Sequence, residues 1–184
     1  MPLRLGFDPE AIVRHFFLAL VLACLPQISW AQSAAVQLCV ANMQISGSRI
    51  SNPAGRELLL KFLGKEKDKS VAEDVPIDAL QPDEALQQAK AKNCDYVITT
   101  NQIESHSDST ISGAETNINR MSTPTFYVTT TYKLTRVSDG SEVISGNAKA
   151  SDRGSEQNAI GYTMHKIADK VTEAIKKAGP PPAK

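Results

Sequence analysis

Three cysteines, three histidines and one tryptophan are spread over 184 residues, and that scarcity removes several chemistries at once. No Cys-x-x-Cys pair occurs, so neither a thioredoxin-type redox centre nor a zinc site has its ligands at workable spacing. The Gly-x-Ser-x-Gly elbow, the Walker phosphate loop and Gly-x-Gly-x-x-Gly are missing as well. Acyl transfer, nucleotide hydrolysis and dinucleotide binding therefore lack their signatures. An excess of either charge is also missing: 20 basic side chains meet 20 acidic ones, for a formal net charge of zero. Nucleic-acid and anionic-membrane binders carry a basic excess or stripe, and none is present. The Lys65-Glu66-Lys67-Asp68-Lys69 run mixes both signs and reads as a solvated loop.

The one long apolar run stands near the amino terminus. Arg4 and Arg14 precede Phe16-Phe17-Leu18-Ala19-Leu20-Val21-Leu22-Ala23, which is too short to span a bilayer as a mature helix. Pro26 and Ser29-Trp30-Ala31 follow, a small-x-small pattern ahead of Gln32. Residues 1–31 thus read as a secretory signal peptide cut between Ala31 and Gln32. What is left, about 150 residues, suffices for one domain with its own core and no transmembrane helix. A second processing route is open at Val21-Leu22-Ala23-Cys24, which resembles a bacterial lipoprotein box, with Cys24 as the lipidated residue. The first route gives a periplasmic or secreted protein; the second gives an outer-membrane lipoprotein.

Cleavage at Ala31 leaves Cys39 and Cys94 in an oxidising compartment. Two states stay open for them. A disulfide would close a long loop and stabilise the fold by about 4 kcal/mol in the chain-entropy description. Two buried free thiols acting as small hydrophobes are the alternative, since Cys39 falls inside a first strand and Cys94 at the mouth of a central one.

The mature chain alternates strand and helix before closing with a hairpin. Val36 to Met43 form a first strand that can be buried on both faces. Asn52 and Pro53 open a helix with Leu59, Phe62 and Leu63 facing inward, and Gly64 stands where it could end. Val71 to Ile77 make a short strand that Pro76 restricts to an edge. Pro82, Asp83 and Glu84 start the next helix, Ala85, Leu86 and Ala89 give it a narrow apolar face, and Asn93 is suited to a left-handed stop. Tyr96, Val97 and Ile98 then begin a central strand.

From about Glu104 to Pro124 the sequence turns polar, and residues 104–124 are expected to form a flexible loop. Phe126 to Val137 and Glu142 to Ala150 make an antiparallel hairpin around Ser138-Asp139-Gly140-Ser141. Ser155 caps a last helix whose inward stripe is Ile160, Met164, Ile167, Val171 and Ile175. The fold class is α/β: a mixed sheet from a βαβαβ unit, an antiparallel hairpin and a C-terminal amphipathic helix. One domain covers residues 32–178, and 179–184 form a Pro-rich tail.

Three stretches carry a family resemblance: the opening strand Val36 to Met43, the junction Ala89 to Thr99, and the hairpin Tyr132 to Ile144. Together they resemble a group of bacterial envelope modules that includes the curli-secretion lipoprotein (CsgG), the lipoprotein activator of penicillin-binding proteins (LpoB) and the TolB amino-terminal domain. Asn93-Cys94 stands where that group has a glycine-alanine pair before Asp-Tyr-Val, and Asp139-Gly140 stands at its Thr-Gly turn. The resemblance implies a non-catalytic part that docks on an envelope protein or assembles as a homo-oligomer.

No catalytic, cofactor-binding or metal-binding residue is assigned. His106 and His165 are the histidines left after cleavage, and Glu104-Ser105-His106-Ser107-Asp108 holds the letters of a triad without its spatial arrangement. The function expected is an exported binding or assembly module of the bacterial cell envelope. A small-ligand binder using the crevice at the strand carboxyl ends, or an exported hydrolase, are the alternatives.

Overall fold

The computed structural model describes residues 36–45, 52–65, 72–108 and 123–179, all within one compact unit spanning residues 35–184. In chain order the elements are β1 (Val36–Val40), β2 (Gln44–Ile45), α1 (Asn52–Lys65), β3 (Ala72–Pro76), α2 (Pro82–Ala91), β4 (Tyr96–Asp108), β5 (Thr125–Arg136), β6 (Glu142–Arg153) and α3 (Glu156–Ala178). The sheet runs β3-β1-β4-β5-β6, and β2 pairs with β4 off that path. Contacts of β1 with β3 and with β4 are parallel, whereas β4–β5 and β5–β6 are antiparallel. This is the mixed α/β sheet expected, with Pro76 on the edge strand β3.

Strand order dictates where the helices go. The chain crosses from β1 to β3 in one direction, then passes back over β1 to β4 in the other. Two crossovers of the same hand running in opposite directions put their helices on opposite faces. Side-chain alternation along β1 serves both: Leu38 and Val40 pack with Leu59 and Leu63 of α1, whereas Cys39 and Ala41 pack with Ala85 and Ala89 of α2. Ile160, Met164, Ile167, Val171 and Ile175 of α3 are buried on the α1 side, as their spacing predicts.

The close approach of α1 depends on Gly55. A Cβ there would stand 2.6 Å from Met43 Sδ and 2.8 Å from Met43 Cβ. At the other end α1 continues through Gly64 to Lys65, one residue past the glycine expected to stop it.

The α2–β4 junction forms as its residues suggest. Asn93 takes φ 56°, the left-handed conformation that Asn tolerates better than most residues, and the Cys94 N–H donates to the Ala89 carbonyl at 2.9 Å. The Asp95 N–H then donates to Gln37 O at 2.8 Å, and the Asp95 carboxylate accepts from Gln37 N–H at 2.9 Å. Both cysteines are buried there and joined as a disulfide, with Cα atoms 5.8 Å apart. The register that brings Leu38 opposite Tyr96 also brings Cys39 within reach of Cys94, two residues ahead of β4.

Two boundaries differ from expectation for one physical reason. β4 continues to Asp108, so 104–108 are strand rather than loop, and β6 continues to Arg153 rather than stopping at Ala150. Both extensions pair along β5, with Asp108 opposite Thr125 and Arg153 opposite Thr125 from the other side. An antiparallel ladder with one solvated face needs few apolar residues, so polar composition alone marks no loop. Residues 109–122 of the expected 104–124 loop lie outside the described residues, as do Cys24, Ala31, Gln32 and residues 180–184 of the tail. Ser155 caps α3, its hydroxyl accepting from Asn158 N–H at 3.2 Å.

Replacing both Cys39 and Cys94 by Ala is expected to lower the unfolding free energy by about 2–4 kcal/mol, because the bridge closes a loop across 55 positions. Urea denaturation of the oxidised protein and the double variant measures it. Gly55→Ala is expected to cost about 1–3 kcal/mol by displacing Met43, measured the same way.

Candidate functional site

The sheet is covered unevenly. One face lies under α1 and α3, and the other carries α2 only around β1 and the start of β4. Beyond that, no helix among the described residues covers the second face, and its chemistry is set by a β-bulge. Gln102 pairs with Thr130 and Glu104 with Thr129, leaving Ile103 as the extra residue on β4. Ile103 is 54% exposed, and the inserted residue changes which side each later position faces.

Without the bulge, Glu104 and His106 would follow Gln102 onto the helix-covered face. With it, Glu104, His106 and Asp108 join Thr129, Tyr127 and Thr125 on the open face. Thr129 Oγ1 donates to Glu104 Oε2 at 3.1 Å, His106 Nδ1 lies 3.4 Å from Glu104 Oε1, and the His106 ring stacks on Tyr127 with centroids 5.0 Å apart. Lys149 and Ser151 of β6 lie beside them, and the concavity that they share with Tyr162, His165 and Lys166 of α3 measures about 670 Å³. Ser105 projects to the opposite face and donates to Glu156 at the start of α3. The triad letters are therefore split between two faces of the sheet, and Ser105 faces away from His106. His165 is half-exposed on α3, edge-on to Phe62 and 3.5 Å from Asp169.

Under the bulge lies a buried polar layer that sequence patterning missed. Gln102 is fully buried with neither amide atom bonded to a protein group. Thr130 and Thr163 share a hydroxyl–hydroxyl contact at 3.3 Å, and Thr163 also donates to Ile160 O at 2.8 Å. The available signal was the strict alternation Tyr96, Ile98, Thr100, Gln102, which runs inward four times before the polar tract begins.

At the carboxyl ends of the parallel strands there is a smaller crevice of about 260 Å³, whose lining includes Gln44, Pro82, Thr99, Asn101 and Lys133. The carboxylates held below their ordinary pKa stand elsewhere. Asp139 is lowered by its hydrogen bonds from Ser141, Glu142 by Ser145 and then Lys133, and Glu173 by Lys177. Each is a surface carboxylate stabilised by local donors. Among the described residues no group of three His, Cys, Asp or Glu side chains could hold a metal ion, and no helix is long and apolar enough to cross a membrane.

No known protein-family model and no curated protein matches the chain. Solved structures do. PelC from Paraburkholderia phytofirmans, a dodecamer, is 16% identical, with 71% of this chain and 83% of that one covered at a TM-score of 0.51. Hypothetical protein CT253 from Chlamydia trachomatis is 8% identical, covering 77% and 99% at 0.50. The likeness is one of fold. The LpoB C-terminal domain from Salmonella enterica also matches, at 16% identity over 63% of this chain and 83% of that one. Its TM-score is 0.40.

Gln102→Met keeps the length of the side chain and removes both amide atoms. Because neither atom has a protein partner, stability is expected to stay level or rise by about 1 kcal/mol. Urea denaturation decides it, and a loss beyond 2 kcal/mol would mean that the amide is well satisfied.

Proposed function

We propose that this chain is an exported, non-catalytic binding or assembly module of the bacterial cell envelope, acting on an envelope protein or as a homo-oligomer. The observation that carries the proposal is the fold held in common with PelC, a protein solved as a dodecamer, across 83% of that chain. The leader-like residues 1–31 supply the route of export, with cleavage between Ala31 and Gln32 and the lipoprotein box at Cys24 as the alternative. Conserving architecture while leaving most of one sheet face to polar side chains suits a part that meets partners through its surface.

A second reading, capture of a small ligand, draws on the crevice beyond the carboxyl ends of β1 and β3, beside Thr99 to Asn101 of β4, since open α/β sheets tend to bind beyond their strand ends. Its volume of about 260 Å³ falls just below the usual range for such sites. A hydrolase has less support, because the Glu104–His106 pair faces away from Ser105.

The test is the mass and assembly state of the protein isolated from envelope fractions, followed by cross-linking on the same sample. The expected result is a chain beginning at Gln32 that is multimeric or cross-linked to one envelope protein. An acylated chain beginning at Cys24 would keep the module but tether it to a membrane. A monomer that gives no cross-links would sink the assembly reading in favour of ligand capture.

A further inference from the structure

β6 ends the sheet on the side opposite β3, and among the described residues it pairs only with β5. It is 12 residues long and contains no proline. In an antiparallel ladder, alternate residues turn both their N–H and C=O groups away from the partner strand. The Lys149 carbonyl points outward, since it accepts from Lys166 Nζ at 2.6 Å. By the same alternation Ser145, Asn147 and Ser151 also present their backbone groups outward, and all three are exposed.

Beside this edge runs a groove of about 460 Å³ between β6 and the second half of α3. Val143, Ile144 and Ala174 give it an apolar floor, and all three pack against the core while staying partly exposed. The α3 flank above it carries Lys166, Lys170, Glu173 and Lys177, spaced four, three and four residues apart and so aligned along one side of the helix. Glu173 engages both Lys177, at 2.9 Å, and Lys170, at 3.9 Å. Three ammonium groups against one carboxylate leave the flank positive.

We propose that the β6 edge takes an extended, acidic peptide segment of a partner protein as an added strand. The outward N–H and C=O groups of Ser145, Asn147 and Ser151 supply the ladder, the groove takes alternate apolar side chains, and carboxylates on the rim meet Lys170 and Lys177. A second copy fits poorly: two β6 edges related by a two-fold axis would bring like-charged lysine rows together. The proposal deepens the reading of the chain as a binding module by naming one surface and one class of partner.

The test titrates the mature protein with a short capped peptide of alternating valine and glutamate, followed by amide chemical shifts. A control peptide carries lysine in place of glutamate. Shifts should cluster on β6 and α3 and weaken with added salt, and the control should not bind. Lys170→Glu with Lys177→Glu should reduce affinity about tenfold or more. Asn147→Pro should abolish binding while leaving the fold intact, because its N–H points away from β5 and serves no ladder bond. Should that variant fail to fold, the wild-type protein with a peptide N-methylated at alternate residues asks the same question, and binding should again be lost.

Equal binding of the lysine peptide, indifference to the backbone block, shifts elsewhere or no binding at all would each overturn the proposal. So would dimerisation through β6. A failed titration removes this site but leaves the envelope-assembly reading standing, since that is tested by cross-linking in envelope fractions.

Discussion

Burial of β1 on both faces is the constraint from which the architecture follows. A strand flanked by β3 and β4, with Leu38 and Val40 on one side and Cys39 and Ala41 on the other, needs apolar cover on both sides. The two crossovers provide it, α1 on one face and α2 on the other. The junction from Asn93 to Asp95 fixes the register: the Asp95 N–H and carboxylate both bond to Gln37, so β4 can enter beside β1 at one position only. The disulfide locks that same position from the α2 face. A one-residue slip would reverse every side chain of β4 and bring Val97 to the place of Ile98.

That centre was legible because its residues act locally. Pro82 and Asn93 mark the two ends of α2 by backbone preference alone, and the five apolar positions of α3 follow one helical stripe without reference to any other element. The bridge was not decidable in the same way, because the Cys39-to-Cys94 distance depends on the register of two strands far apart in sequence. The arm beyond Gln102 is hidden from local pattern for a related reason. Ser105, Ser107 and Asp108 have little preference for a strand, and it is the β5 residues Val128, Phe126 and Thr125, far along the chain, that hold them in the ladder.

The bulge at Ile103 joins the two halves of the molecule. On the near side β4 is a core strand, and on the far side it is one arm of a twisted antiparallel sheet with a solvated face. Gln102 and the Thr130–Thr163 pair occupy the transition, where the core cover from α1 and α3 gives way to the start of α3 and its Glu156 contact. Polar side chains at such a boundary weaken the core in exchange for a defined bend. The slip in register is why Glu104, His106 and Tyr127 lie together on one face of the arm. No single sequence motif could have located that cluster, since its members sit on two strands and share a face only after the register slips.

The two edges of the sheet are built differently, and the difference has physical content. β3 is five residues long and ends in Pro76, whose carbonyl accepts from Lys92 Nζ at 3.1 Å, while the next carbonyl, that of Ile77, accepts from Arg56 at 3.0 Å. Shortness, proline and covering cations are the means by which proteins keep an edge from pairing. β6 has the length of a full strand, and of those devices it uses one lysine on one carbonyl. A fold that blunts one edge so thoroughly has no general shortage of ways to blunt the other. Leaving β6 long, with an apolar groove beneath it and a positive helix flank beside it, makes it the direction in which this sheet is prepared to grow.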